Sequence, residues 1–216
     1  MQDTKVASVQ FEHAPGDKQA NLDKVRRFTA EAAEQSVELL VFPEMCVTGY
    51  WFLRDQSRDE LLELSEPIPN GTTTQELLRL AKQHNLSLGA GLLEVSEGGE
   101  MFNSYVVAMP DGRTVCHRKL HAFVSEHISS GSEFTVFDLP NGSRAAILIC
   151  YDNNLFENTR IVALKGAEIL IAPHQTGGCR TPSPRCRSRQ SRPTTRPRPH
   201  RRSRRSRRSR PMRRLQ

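Results

Sequence analysis

The chain reads as an α/β layered fold, and three observations predict it: a strand–helix–strand opening, further short apolar runs alternating with helical periodicity, and turn signals that insert hairpins in the middle. Lys5–Phe11 (KVASVQF) alternates polar and apolar residues, as a half-buried strand does. Gly16-Asp17 is a turn with a helix cap, after which Leu22, Val25, Phe28, Ala32 and Ala33 recur at helical spacing up to about Gln35. Glu38–Phe42 (ELLVF) is a short apolar run suited to a strand covered on both faces. A helix over Thr73–His84, capped by Thr72 or Thr73, presents Leu77, Leu78, Leu80 and Ala81. Leu86–Val95 and Phe102–Met109 follow as strands. A Pro-Asp-Gly turn joins the second of these to Thr114–Lys119. Thr135–Leu139 and Arg144–Cys150 flank Pro-Asn-Gly as another pair; Asn153–Leu164 is helical and stops at Gly166, and Glu168–Pro173 (EILIAP) is a final buried strand.

Charge divides the chain. From Arg180 to Gln216 there are 16 Arg and no Lys, Asp or Glu, leaving 15 of the 31 basic residues against all 24 acidic ones, a balance of −9 for the preceding body. The tail has no hydrophobic periodicity and too little apolar surface to offset the entropy of ordering it, so it is expected to be disordered. The expected organisation is one domain over residues 1–179 and a tail over 180–216. No apolar run reaches the ~18 residues of a membrane span, the N-terminus lacks the pattern of a secretory signal, and five Cys form no disulfide framework. A cytoplasmic location is expected. Cys179, Cys186 and His200 lack zinc-site spacing.

Three residues with complementary chemistry fall at predicted strand ends: Glu44, Lys119 and Cys150. Functional side chains of open α/β sheets gather just beyond the carboxyl ends of strands. A thiolate nucleophile, a carboxylate base and an ammonium beside a developing oxyanion suffice for acyl transfer. Each also has an ordinary reading, since a strand-end Cys is commonly a small buried apolar residue and a lone Glu or Lys a solvated charge. Cys46 reads as core. Tyr50, Trp51 and Phe52 follow a turn and either line a pocket or pack beneath the loop; Asp152 and Asn153 are placed to support the Cys150 turn, and Glu157 with Arg160 to pair on the helix.

The segments around the three residues resemble those of the nitrilase, or carbon–nitrogen hydrolase, superfamily. VFPEMCVTGY (Val41–Tyr50) is similar to its glutamate segment, CHRKLHAF (Cys116–Phe123) to its lysine segment and LICYDNNLFENTR (Leu148–Arg160) to its nucleophile segment, all in family order. The opening strand and GAEILIAP extend the likeness over about residues 4–179. The resemblance implies a nitrilase-like α-β-β-α sandwich, incomplete at the C-terminus, with Glu44 as general base, Cys150 as nucleophile, and Lys119 with the Tyr151 N–H holding the oxyanion. It implies a second glutamate between lysine and cysteine, for which Glu126 is favoured over Glu133. It also places His174 and Gln175 near substrate, and Tyr50, from its place after the turn, is a further substrate-side candidate. No metal or organic cofactor is implied; the partners are a small amide, nitrile or carbamoyl substrate and a further copy of the chain in a homo-oligomer.

The family's domain normally continues through further strands and helices where this chain turns to RTPSPRCRSRQ. That change reads as a shifted frame or a wrong gene model. If the tail is genuine, it would bind nucleic acid through phosphates, and the alternative functions are then a nucleic-acid-binding protein or an inactive truncated family member.

Overall fold

A computed structural model describes residues 3–175. The expected tail and the expected domain end at 179 lie outside the described residues. Within them the chain forms two sheets with helices on their outer faces. The first sheet runs in the order β1 (Val6–Ser8), β2 (Leu39–Val41), β3 (Ser87–Val95), β4 (Met101–Ala108), β5 (Thr114–Arg118), with β6 (Ile128–Ser129) also pairing β4. Strands β1, β2 and β3 are parallel, while β3–β4–β5 form an antiparallel meander that contains the expected β4–β5 hairpin. The second sheet pairs β7 (Val136–Asp138) antiparallel with β8 (Arg144–Ile147), and β8 parallel with β9 (Ile169–Ile171). The helices are α1 (Lys18–Glu34), α2 (Arg58–Leu64), α3 (Thr72–His84) and α4 (Phe156–Leu164).

The period-2 alternation of the strands sorts their side chains into layers. Leu40 of β2, Leu88, Ala90 and Leu92 of β3, and Val106 and Ala108 of β4 pack with Leu22, Val25, Leu77 and Leu80 of α1 and α3. The opposite face presents Leu39, Tyr105, Val107 and Met109 to Phe137, Ala145, Ile147 and Ile171 of the second sheet. Beyond that sheet, Ala146 and Leu148 meet Val162 of α4. These layers form the α-β-β-α sandwich that the family resemblance implies.

Several local expectations change. The strands containing Val6 and Ala146 are shorter than their hydrophobic runs, so Cys150 lies three residues beyond β8 in a 3-10 turn (Cys150–Asn154) rather than on the strand. Helix α3 is preceded by Gly71 at its cap, and neither Thr72 nor Thr73 caps it with its own side chain. The buried carboxylate of Glu66 does so instead, accepting from Thr73 N at 2.7 Å and from the Thr73 hydroxyl at 2.8 Å. Helix α2 goes unassigned in the sequence reading, although Ser57-x-x-Glu60 is a capping box: Ser57 N donates to Glu60 Oε2 at 2.8 Å. Glu157 and Arg160 are both exposed and form no ion pair with each other.

Gly91 brings the first sheet against the turn after β2. A Cβ at Gly91 would lie 2.2 Å from Met45 N, too close for any side chain. Val47 N donates to Gly91 O at 3.0 Å, so the turn carrying Glu44 is held against bare backbone. Gly91→Ala is therefore expected to cost about 1–3 kcal/mol by overpacking. Chemical denaturation would show this as a lower midpoint at unchanged slope.

Candidate active site

Glu44 is delivered by the β2 edge: Phe42 N donates to Gly89 O at 2.9 Å, Pro43 follows, and Met45 takes a left-handed φ of 51° that turns the chain back. Lys119 directly follows β5, with Lys119 N donating to Asn103 O at 2.8 Å and Lys119 O accepting from Gly131 N at 2.7 Å. A Cβ at Gly131 would meet Arg118 O at 2.5 Å, so the returning loop lies close against the lysine segment. Cys150 also has a left-handed φ of 51°, sparsely populated for a residue with a side chain, and its N–H donates to Pro173 O at 2.9 Å.

The three segments converge. Lys119 Nζ donates to Glu44 Oε1 at 2.6 Å, and neither side chain has any solvent exposure. Asn103 Nδ2 donates to the same oxygen at 2.8 Å. Glu44 Oε2 is buried with no hydrogen-bond partner among the described residues. Lys119 also reaches the Tyr50 hydroxyl at 3.4 Å and lies 4.9 Å from the Phe123 ring centroid. Burial raises the half-buried Cys150 thiol above the ordinary cysteine value, and Glu44 raises it further through its charge and its approach to the thiol; Lys119 and a backbone group of Gln175 pull it down. The thiol thus feels both members of the ion pair. Burial and the Glu44 charge likewise push the Tyr50 hydroxyl well up.

Asp152 ties two of these segments together. Fully buried, it accepts from Leu120 N (3.1 Å) and His121 N (2.9 Å), just past Lys119, and from Ile149 N (3.2 Å), just before Cys150. Its sequence position suggested support of the cysteine turn; the hold on the lysine segment comes from the tertiary fold. Asn153 completes the turn by donating to Leu148 O at 2.6 Å.

The remaining candidates divide. Tyr50 is buried inside the cluster. Tyr151 is exposed, with its ring edge-on to His121 and Phe123. His174 is half-buried, one residue beyond the Pro173 carbonyl that receives the Cys150 N–H, and Gln175 beside it is buried. Glu126 is not brought to the cluster: it is exposed on a loop that lines a cavity of about 400 Å³ with Arg54, Ser57 and His127, and it pairs with neither Lys119 nor Glu44. Glu133 is likewise exposed, beside Glu94 and Arg118 in a separate cavity of about 560 Å³. Cys46 is core, its thiol pushed up to about 12 by burial. Asn103 escaped the sequence reading. Its signal was available, because it shares the inward parity of Tyr105 and Val107 on an otherwise apolar face.

A sequence model of the family described as "Carbon-nitrogen hydrolase" matches residues 5–196. The chain is 34% identical over 172 residues to a nitrilase of Pyrococcus abyssi, a match covering 78% of this chain and 64% of that protein. It is 36% identical over 169 residues to an (R)-stereoselective amidase of a Pseudomonas species, covering 77% of this chain and 58% of the relative. Among solved structures it is similar to Saccharomyces cerevisiae Nit3, a member of branch 10 of the nitrilase superfamily. That match has a TM-score of 0.69 and 30% identity, covering 79% of this chain and 64% of the other. The chain therefore spans less than two thirds of the length of these relatives.

Because the Glu44 charge contributes to raising the Cys150 thiol, Glu44→Gln is expected to lower the pH midpoint of Cys150 alkylation. Following iodoacetamide labelling of the Cys150 peptide by mass spectrometry against pH reads this directly; an upward shift would contradict the electrostatics described.

Proposed function

Because the chain belongs to the carbon–nitrogen hydrolase family, we propose that it hydrolyses non-peptide carbon–nitrogen bonds of small amide, nitrile or carbamoyl compounds through a thioester on Cys150. The observation that carries this reading is the solvent-free Glu44–Lys119 pair, 2.6 Å apart, acting on a half-buried thiol. A buried ion pair is weak evidence for stability, since desolvation offsets its attraction. A base and an oxyanion donor held dry beside a nucleophile are what acyl transfer requires.

In this scheme the Cys150 S–H bond breaks, its proton passes to Glu44, and the electron pair left on sulfur forms the bond to the substrate carbon. For an amide or carbamoyl substrate, negative charge developing on the carbonyl oxygen is held by the Lys119 ammonium and the Tyr151 N–H; a nitrile instead gives a thioimidate, whose nitrogen takes the proton from Glu44 and to which one water adds before ammonia leaves and the thioester remains. As the carbon–nitrogen bond breaks, Glu44 returns the proton to the departing ammonia or amine. Glu44 then deprotonates water, which attacks the thioester and releases the acid and the thiol. Tyr50 and His174 are assigned to the substrate side of the pocket. The nitrilase and amidase named above support the substrate class.

The test is turnover of a panel of simple aliphatic amides, nitriles and carbamoyl compounds by the full chain, monitored by ammonia release. Cys150→Ala is expected to abolish it. Lys119→Ala is expected to lower kcat roughly 10²–10³-fold, the loss typical of one oxyanion donor. Ammonia release that survives Cys150→Ala would refute the covalent route.

A further inference from the structure

The two oxygens of Glu44 are not equivalent. Oε1 accepts two donors, Lys119 Nζ at 2.6 Å and Asn103 Nδ2 at 2.8 Å, whereas Oε2 accepts none among the described residues. Hydrogen bonds to an ionised oxygen lower its affinity for a proton, so the unencumbered oxygen is the more basic. The Asn103 amide is oriented by chemistry: the flipped form would set its carbonyl oxygen against the carboxylate, acceptor against acceptor. That orientation has a cost, since Asn103 Oδ1 is left buried with no partner among the described residues. An apolar residue would fill this inward strand position, beside Tyr105 and Val107, without such a deficit. The contact with Glu44 accounts for an amide there.

We propose that Asn103 is a positioning residue for the reaction: together with Lys119 it engages Oε1 and fixes the Glu44 carboxylate so that Oε2 receives the Cys150 proton. This rests on Glu44 acting as the base. In the transfer the S–H bond breaks, the proton moves to Oε2, and the electron pair stays on sulfur. The charged or titratable groups that meet Glu44 are Lys119 beyond β5, Tyr50 from the turn after β2 and Cys150 beyond β8, while Arg54 and Asp152 act on Tyr50. Asn103 adds an amide donor that does not titrate.

The test uses full-length chain carrying ¹³C at the glutamate side-chain carboxyls, with the Glu44 resonance assigned by its loss in Glu44→Gln. In Asn103→Leu that resonance is expected to change at higher pH than in the unsubstituted chain, because the ionised form has lost a donor. Asn103→Ser, which keeps a short donor, is expected to recover part of the shift and is read if the leucine variant does not fold. An unmoved midpoint in a folded variant, by circular dichroism, overturns the proposal. On turnover, the expected signature is lower kcat at unchanged KM with the acid limb of the pH profile displaced upward; a uniform loss without displacement counts against a positioning role. Absence of turnover in the unsubstituted chain would refute the hydrolase reading alone, since the carboxyl titration requires no substrate.

Discussion

Two opposite charges, on Glu44 and Lys119, sit 2.6 Å apart with no access to water. Stripping each of its hydration costs several kcal/mol, and mutual attraction repays this only when geometry is tight and the remaining polar atoms find partners. Much of the surrounding structure supplies those conditions. Lys119 is anchored through its backbone to Asn103 and Gly131, and Glu44 rides on a turn pressed against the bare backbone of Gly91. Among the described residues Asn103 Oδ1 and Glu44 Oε2 are left without a partner, and at the carboxylate the remaining cost falls on Oε2. That atom is the one the proposed chemistry uses.

Around this pair the fold divides its labour between regular and irregular backbone. Strands β2, β5 and β8 stop short of the groups proposed to react: Glu44 and Cys150 sit in turns past their strands, and Lys119 directly follows β5. Left-handed φ values at Met45 and Cys150 mark where the chain bends sharply, at a cost of order 1–3 kcal/mol for such conformations. Asp152 offsets part of that cost for the cysteine turn with charge-assisted hydrogen bonds from three backbone N–H groups.

The alternation of strands and helices was legible in the sequence because their periods differ, and the apolar run around Leu40 declared a buried strand; the four-layer order came from the resemblance of the motifs, and the run around Ile171, expected to be buried, leaves Leu170 exposed. Glu44, Lys119 and Cys150 were legible as candidates because each falls at a predicted strand end, and the family resemblance of the flanking segments set them apart from ordinary strand-end residues. Other features depend on tertiary contacts that periodicity does not encode. Glu66 caps α3 from outside the helix, and no local rule prefers it to Thr72 or Thr73. Cys150 lies beyond β8 because pairing with β9 ends at Ile147 and Ile171, whereas the hydrophobic run continues to Ile149. Glu126 looked like a site residue from its place before Gly131, yet the loop turns it outward. Asn103 and the α2 capping box both left readable marks, a polar residue at inward parity and a Ser-x-x-Glu.

Because Asp152 grips the backbone on both sides, the lysine and cysteine segments behave as one mechanical part. An insertion in either would drag the other with it, so diversification of such a pocket is channelled elsewhere. The aromatic turn from Tyr50 to Phe52 and the stretch beginning at His174 are free of that shared anchor. Within them Tyr50 still meets Lys119 and Gln175 the Cys150 thiol, which leaves Trp51, Phe52 and His174 as the positions where the pocket wall can vary most freely.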